Sequence, residues 1–452
     1  MARRDELLAR AREPAAEALR LHPFYRGKVQ TVPKAPVRSL ADFAIWYTPG
    51  VAAPCRAIQG DPALVYAHTG KGNTVAVVSD CTRVLGLGDI GAEAGLPVME
   101  GKALLFKYLG GVDAVPICLA TKDAGEIVRT VKILQPAFGG VNLEDIAQPK
   151  CFRVLDALRA DPEVTIPVWH DDQQGTAIVV LAGLLGALQV VGKRLDAVRI
   201  AMIGMGAANV ATVRLLLAAG VPAGHVVAVD SQGILHPGRD DVAARQDELV
   251  TKWHLCRASN QERRRGGIAE ALAGADVCLA FSASAPGVIR PEWVRRMASD
   301  AIVFAGANPE PEIWPWDAAE AGVRVIATGR SDFPNQVNNS LGFPAIFRGA
   351  LDVRARTITD GMCLAAAWEI AAVAAERGLR EDFVIPAMDD DSLYVREAVA
   401  VAMQAQEEGV ARVARPRAEL HAAAAGAIRH ARATTAALMA AGLIAPVPAP
   451  QG

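Results

Sequence analysis

Short runs rich in β-branched residues alternate with longer helical patterns along most of this chain, and that alternation limits the fold more than any other feature. TVAVVSD (74–80), DAVPIC (113–118) and TIPVW (165–169) read as strands, whereas VMEGKALLFKYL, AGEIVRTVKILQPA and CFRVLDALRA read as helices. Parallel strands need a crossover of a dozen or more residues, usually a helix, so the pattern predicts α/β layering around a largely parallel sheet. A second run of the same kind starts near 196, with strands expected in DAVRIAMIG, VVAVD, ADVCLAF, AIVFAG and VRVIATG. Ligands of open parallel sheets gather at the carboxyl ends of the strands. The polar segments SAS, ANPEPE and GRSDFPNQVNNS follow such ends and are therefore candidate site loops.

With 452 residues, 52% of them hydrophobic, the chain can bury the cores of two or three domains. Lys and Arg number 47 against 49 Asp and Glu, so no strong net field attracts nucleic acid or an anionic membrane. A small-molecule substrate is expected instead. The seven cysteines are odd in number and form no CxxC pair, which reads as reduced thiols. The start, MARRDELLARAREPAAEALR, mixes charges of both signs and lacks the apolar centre of a secretory signal. The longest apolar stretch, 177–191, is short for a bilayer span and contains Gly183 and Gly186, so a buried helix in a cytoplasmic protein is expected. The Ala- and Arg-rich segment from 412 to 452 reads as one peripheral helix with a frayed, proline-bearing end.

One glycine pattern carries chemistry. Gly204, Gly206 and Asn209 fill the three key places of a G-x-G-x-x-G/A fingerprint between an expected strand and an expected helix, with Ala207 and Ala208 in the turn. Such a turn brings backbone close to a pyrophosphate, and the helix start offers amide donors and a positive dipole. Asp230, at the end of the following strand, is placed to accept from the adenine-ribose hydroxyls. Neutral Ser231 and Gln232 beside it lean toward NAD, and Arg239 keeps NADP open. Asn209 departs from the small residue usual there, so either the helix stands off or the amide finds a partner.

Two acidic pairs remain. Glu144 and Asp145 in GGVNLEDIAQPK and Asp171 and Asp172 in VWHDDQQGTA lie in separate loops. Carboxylates converging from two loops suit a hard divalent cation, while a single Asp at a helix start is as well explained by capping. The wider set of motifs resembles the malic enzymes, specifically the shorter bacterial type: YTPGVA, TRVLGLGDIG, MEGKALLFK, NLEDI, HDDQQGTA, GMGAAN, VDSQGIL, ANP and PNQVNNSLGFPAIFRGALD stand in that family's order between about residues 20 and 400.

The resemblance implies a two-domain α/β protein: an N-terminal malic-enzyme domain with a helical arm (1–165), a C-terminal Rossmann-type, doubly wound NAD(P)-binding domain (166–411) and the helical extension (412–452). It implies oxidative decarboxylation of (S)-malate to pyruvate and carbon dioxide with NAD or NADP, aided by Mg2+ or Mn2+. By the same resemblance Glu144, Asp145 and Asp172 ligate the cation, Tyr47 is the general acid, Lys102 the general base, and Asp171 supports their proton chemistry. Arg83 grips a malate carboxylate, Asn308 and Asn339 bond substrate with Asn338 alongside, and Asn308 also reaches the cofactor. Desolvation beside a cation and Arg83 is expected to lower the Lys102 pKa. A homodimer is expected, with the N-terminal helix and arm in its contact. Two alternatives stand beside this: a metal-independent 2-hydroxy-acid dehydrogenase that stops at the oxo acid, and a noncatalytic dinucleotide-binding regulator.

Overall fold

The structure, a computed structural model, describes residues 2–449, with the side chains of residues 2–12 excepted. Two sheets organise it. The first holds β1 (Thr74–Ser79), β2 (Asp113–Cys118), β3 (Gly140–Leu143) and β4 (Val168–His170) in the order β2-β1-β3-β4, all parallel. The second holds β5 (Ile200–Ile203), β6 (Val226–Asp230), β7 (Gly233–Ile234), β8 (Val277–Ala280), β9 (Ile302–Ala305) and β10 (Val325–Thr328) in the order β10-β9-β8-β5-β6-β7, with β7 antiparallel to β6. Every residue of β3, β5, β8 and β9 is buried. That is why these strands read as unbroken apolar runs: crossover helices cover both faces of a parallel sheet.

The expected strands form, with two differences. In TIPVW only the end is strand, because Pro167 has no N–H to give; its carbonyl instead accepts from Val141 N at 2.9 Å. The four residues of β3 were hidden in what reads as a loop, since so short a run shows no period. β4 lies beyond residue 165, where the first domain was expected to end, yet it is hydrogen-bonded to β3.

The apolar stretch 177–191 forms most of the helix Thr176–Val191, in which every residue from Ala177 to Leu188 is buried. With the preceding turn it is long and apolar enough to cross a membrane by length and composition, but 78% of that window is buried inside the fold. After β10 the chain returns to the first sheet. Phe343 and Phe347, on the helix Phe343–Asp352, place their rings 4.6 and 5.3 Å from Phe106 on the helix Ala92–Gly110. One large core therefore includes residues from both halves of the chain. The C-terminal extension is docked: along Arg417–Ala440, Leu420, Ala424, Ile428 and Ala431 form a buried stripe, and a Cβ on Gly111 would meet Ala427 backbone at 2.7 Å. Residues 450–452 of its expected frayed end lie outside the described residues.

Candidate active site

β3 and β4 are parallel neighbours with Leu143 opposite His170, so the residues that follow each strand leave the sheet at one edge. Glu144 and Asp145 thus meet Asp171 and Asp172 across twenty-six residues of sequence. The second pair does not cap a helix. Asp171–Gly175 is a π-helical turn with no side-chain cap, running directly into Thr176–Val191. A Cβ on Gly175 would sit 1.9 Å from Asp171 Oδ1, so glycine is required for the aspartate to fold back over the turn.

Lys102, from the middle of Ala92–Gly110, enters this group. Its Nζ is 2.7 Å from Asp171 Oδ2 and 2.9 Å from Glu144 Oε1, and lies 4.4 Å from the centre of the Phe343 ring. Trp169 Nε1 donates to the other oxygen of Asp171 at 3.3 Å, and Asn142 Nδ2 to Glu144 Oε2 at 2.8 Å. Asp172 Oδ2 accepts from Asp145 N at 2.8 Å and lies 3.6 Å from His170 Nδ1. Asp145 is held at φ 52°, a left-handed conformation that a non-glycine residue adopts at a cost.

Four carboxylates therefore surround one ammonium. Burial disfavours their charged forms and raises all four, against the pull of Lys102; Asp171 is pushed up to about 7. Burial would lower Lys102, but Asp171 and Glu144 outweigh it and hold the ammonium well above the usual lysine range. The lowering expected from the sequence was for an amine beside a cation; without the cation's charge, two carboxylates within 2.9 Å of the amine act in the opposite direction. Burial drives His170 the other way, to about 3, so it stays neutral.

Glu144, Asp145 and Asp172 each offer a carboxylate oxygen within 4.8 Å of the others. Asp145 Oδ2 is buried without a hydrogen-bond partner. An orphaned oxygen, an excess of negative charge and an all-oxygen donor set fit a hard divalent cation such as Mg2+ or Mn2+. Asp172, with a side chain one-third exposed, marks the open side of the cluster.

The second sheet supplies the facing wall. Gly204 adopts φ 89°, and a Cβ there would meet Phe281 O and Ser282 at 2.8 Å, so only glycine makes this turn. Asn209 resolves the departure noted in the fingerprint: its amide finds partners, donating to Ile203 O at 3.0 Å and Gly204 O at 2.7 Å and pinning the strand end to the helix Ala207–Ala218. Asn209→Ala is expected to cost about 1–3 kcal/mol, by stranding buried carbonyls, and to raise the dinucleotide Kd. Denaturant unfolding and a dinucleotide titration check both effects, and unchanged values in the two would remove this role.

Asp230 stands at the end of β6 with four donors on its carboxylate. Gln232 N (2.9 Å) and Arg239 Nη1 (3.0 Å) approach Oδ1, while Arg239 Nη2 and Lys252 Nζ, both at 3.2 Å, approach Oδ2. Burial raises its pKa, but the Arg239 bond and the other donors outweigh that and leave the carboxyl below its ordinary value. The lean toward NAD drawn from Ser231 and Gln232 missed Lys252, a second cation twenty-two residues away in sequence.

The remaining candidates are placed unevenly. The Arg83 loop touches both walls: Arg83 N donates to Asp145 O at 3.0 Å, and a Cβ on Gly86 would meet Asn308 O at 2.8 Å. Asn308 follows β9, and its Nδ2 lies 3.5 Å from Gly306 O. Asn339 Cβ would be 3.3 Å from a Cβ on Gly175, beside the aspartate turn. Asn338 caps the short helix Asn339–Leu341, accepting from Ser340 N at 2.9 Å. Tyr47 ends the helix Leu40–Trp46 and is 71% exposed; its hydroxyl has no hydrogen-bond partner among the described residues. Sequence reasoning missed Phe343, Asn142 and Trp169, whose roles come from contact and have no chemical signature along the chain. Glu312 was missed too. It accepts from Ser282 N at 2.7 Å and Ala307 N at 3.1 Å and so joins the loops after β8 and β9.

Fold and site together define a dinucleotide-dependent oxidoreductase that joins a glycine turn of the dinucleotide-binding type to a carboxylate–lysine cluster suited to a divalent cation. Residues 26–125 match the family described as malic enzyme, N-terminal domain, and residues 173–406 match malic enzyme, NAD binding domain. A bifunctional malic/malolactic enzyme of Bacillus subtilis (strain 168) is 50% identical over 397 residues, 88% of this chain and 94% of that protein. A NAD-dependent malic enzyme of Geobacillus stearothermophilus is 51% identical over 386 residues, 85% of this chain and 78% of that protein. The crystal structure of Entamoeba histolytica malic enzyme superposes with a TM-score of 0.95 at 45% identity, covering 98% of this chain and 92% of that one. The chain belongs to the malic enzyme family.

Proposed function

We infer that the cleft oxidises and decarboxylates (S)-malate, giving pyruvate and carbon dioxide, with NAD or NADP taking the hydride. Oxidative decarboxylation is the activity of the family to which the chain belongs. The observation that carries the assignment of residues is the buried contact of Lys102 with Asp171 and Glu144 beside three convergent carboxylates. Glu144, Asp145 and Asp172 would hold the divalent cation, which when bound supplies Lewis acidity toward the C2 oxygen of malate.

The chain's own residues account for the protons. Lys102 removes the C2 hydroxyl proton as hydride leaves C2 for the dinucleotide; to act as base it must first be neutral. Asp171, 2.7 Å away and itself pushed toward neutrality, is the acceptor that can relieve the ammonium of its proton. Arg83, exposed at the cleft and in backbone contact with Asp145, pairs with a substrate carboxylate and thereby orients C2. Asn308 and Asn339, with Asn338 alongside, line the same cleft as substrate donors, and Asn308 also borders the dinucleotide. Tyr47 returns one proton to C3 after carbon dioxide departs, so the proton lost at the hydroxyl and the proton gained at carbon balance.

Tyr47 stands on an exposed, partly apolar surface. It sits beside Leu40, Ile45 and Trp46, which are 86, 60 and 49% exposed, and such an apolar surface supports the homodimer through the N-terminal arm. Seven free cysteines, five of them buried, support a reducing, cytoplasmic setting. The assay that tests the function supplies malate, Mn2+ and either NAD or NADP, and follows reduced dinucleotide and carbon dioxide together, with and without EDTA. Equal yields of the two products, abolished by EDTA, are expected. Dinucleotide reduction that persists in EDTA without carbon dioxide would establish the metal-independent dehydrogenase instead.

A further inference from the structure

Behind the aspartate turn, on the side of Gln173 and Gln174, lies a cavity of about 100 Å3. The helix Lys150–Ala160 forms one wall, the helix Ala207–Ala218 of the second sheet another, and the start of Asp360–Glu376 closes the end. Three features mark it as built for a ligand. Arg159 reaches it with a guanidinium committed only to backbone: Nη2 donates to Ile358 O at 2.7 Å and Nε to Val168 O at 3.4 Å. Among the described residues no carboxylate forms an ion pair with Arg159, and burial pulls it below the usual arginine range. Gln173, 5% exposed, lines the cavity, and its Nε2 is buried without an acceptor. The rest of the wall is largely apolar, with Leu155, Ala177 and Val210 prominent.

We propose that this cavity binds a small monocarboxylate, its carboxylate on Arg159 and the Gln173 amide and its short carbon chain against Leu155 and Val210. A desolvated cation and a stranded donor call for an acceptor with negative charge. Phosphate and dicarboxylates are disfavoured because Asp156, which also lines the cavity, repels a second negative charge, while Arg214, the other cation of the lining, is already paired with Asp360 at 2.7 Å. The size sets the chain length. A water needs roughly 10–15 Å3 of such cavity space, so about 100 Å3 takes the five to seven non-hydrogen atoms of an acid of about three to five carbons. Gln173 directly follows Asp172, so the ligand lies one residue behind the proposed metal cluster, in a space distinct from it.

Butyrate is the probe, because it lacks the 2-oxygen that malate would present to the cleft. Calorimetric titration into the full chain in EDTA is expected to show one site. Ala211→Leu fills the cavity from the helix Ala207–Ala218 without removing a polar group, and it should weaken butyrate at least tenfold while leaving the melting temperature unchanged. Arg159→Met should weaken butyrate similarly. No butyrate binding at tens of millimolar, or equal binding by Ala211→Leu, overturns the proposal. So does complete displacement of butyrate by saturating NAD, which would give the cavity to the dinucleotide. The outcome is independent of malate turnover, so failure here is separable from failure of the proposed reaction.

Discussion

Asp172→Ala is expected to raise the Mn2+ concentration for half-maximal turnover by more than the roughly 10–100-fold that loss of an outer partner of a metal site costs. The substitution removes one of three anionic ligands and the oxygen that accepts from Asp145 N at 2.8 Å. Asp145, held at φ 52°, loses that anchor as well. Asp172→Asn separates the two effects, since its amide oxygen still accepts from Asp145 N while the charge is gone. Dinucleotide affinity should stay within about twofold, because Asp172 belongs to the first sheet's edge and Gly204 and Asp230 to the second. Metal-free stability should move the opposite way. Asp172 is raised above its ordinary value by burial and by Asp171, so at neutral pH its ionised form weakens the fold, and removing it relieves repulsion. The melting temperature in EDTA is therefore expected to hold or rise, while the increment gained on adding Mn2+ shrinks. Turnover at the unchanged Mn2+ requirement would end the metal assignment.

Lys102→Ala should lose turnover by about 10²–10⁴, the range for a positioned acid–base group. It should also destabilise the protein by about 3–5 kcal/mol, since Asp171 and Glu144 would be left buried without their counter-charge. The pH dependence follows from the direction of the carboxylate shifts. A carboxyl whose folded pKa lies above its unfolded value loses stability as pH rises from the unfolded value through the folded one. Asp171 is already at about 7 with Lys102 present, and without the amine it and Glu144 would move higher. The deficit relative to the parent should thus widen as pH rises through neutrality. Urea unfolding about one unit either side of pH 7 measures this, and kinetics read the other role. A parent-like turnover rate with an unaltered pH profile would exclude Lys102 as base.

Much of the fold was legible because buried parallel strands and their crossover helices carry different periods. The failures fell where period is absent, as in the four residues of β3, or where a proline removes a donor, as at Pro167. The site was legible in a different way. Motifs named the residues that carry its chemistry, but nothing along the chain marks Phe343 as the ring beneath Lys102 or Lys252 as a second cation on Asp230. Both contacts join segments far apart in sequence, so only folding creates them.

By itself the sequence determined the residue types, the α/β layering, the glycine turn and the family pattern, since each depends on local backbone freedom or on the order of short motifs. Only the tertiary structure decided that Asp171 faces Lys102 while Asp172 faces Asp145, and that two carboxylates draw the Lys102 pKa upward against its burial. Two adjacent aspartates look alike along the chain. Their roles diverge because the π-helical turn points them into different surroundings, and burial and Coulomb forces act through space between groups that sequence distance does not relate.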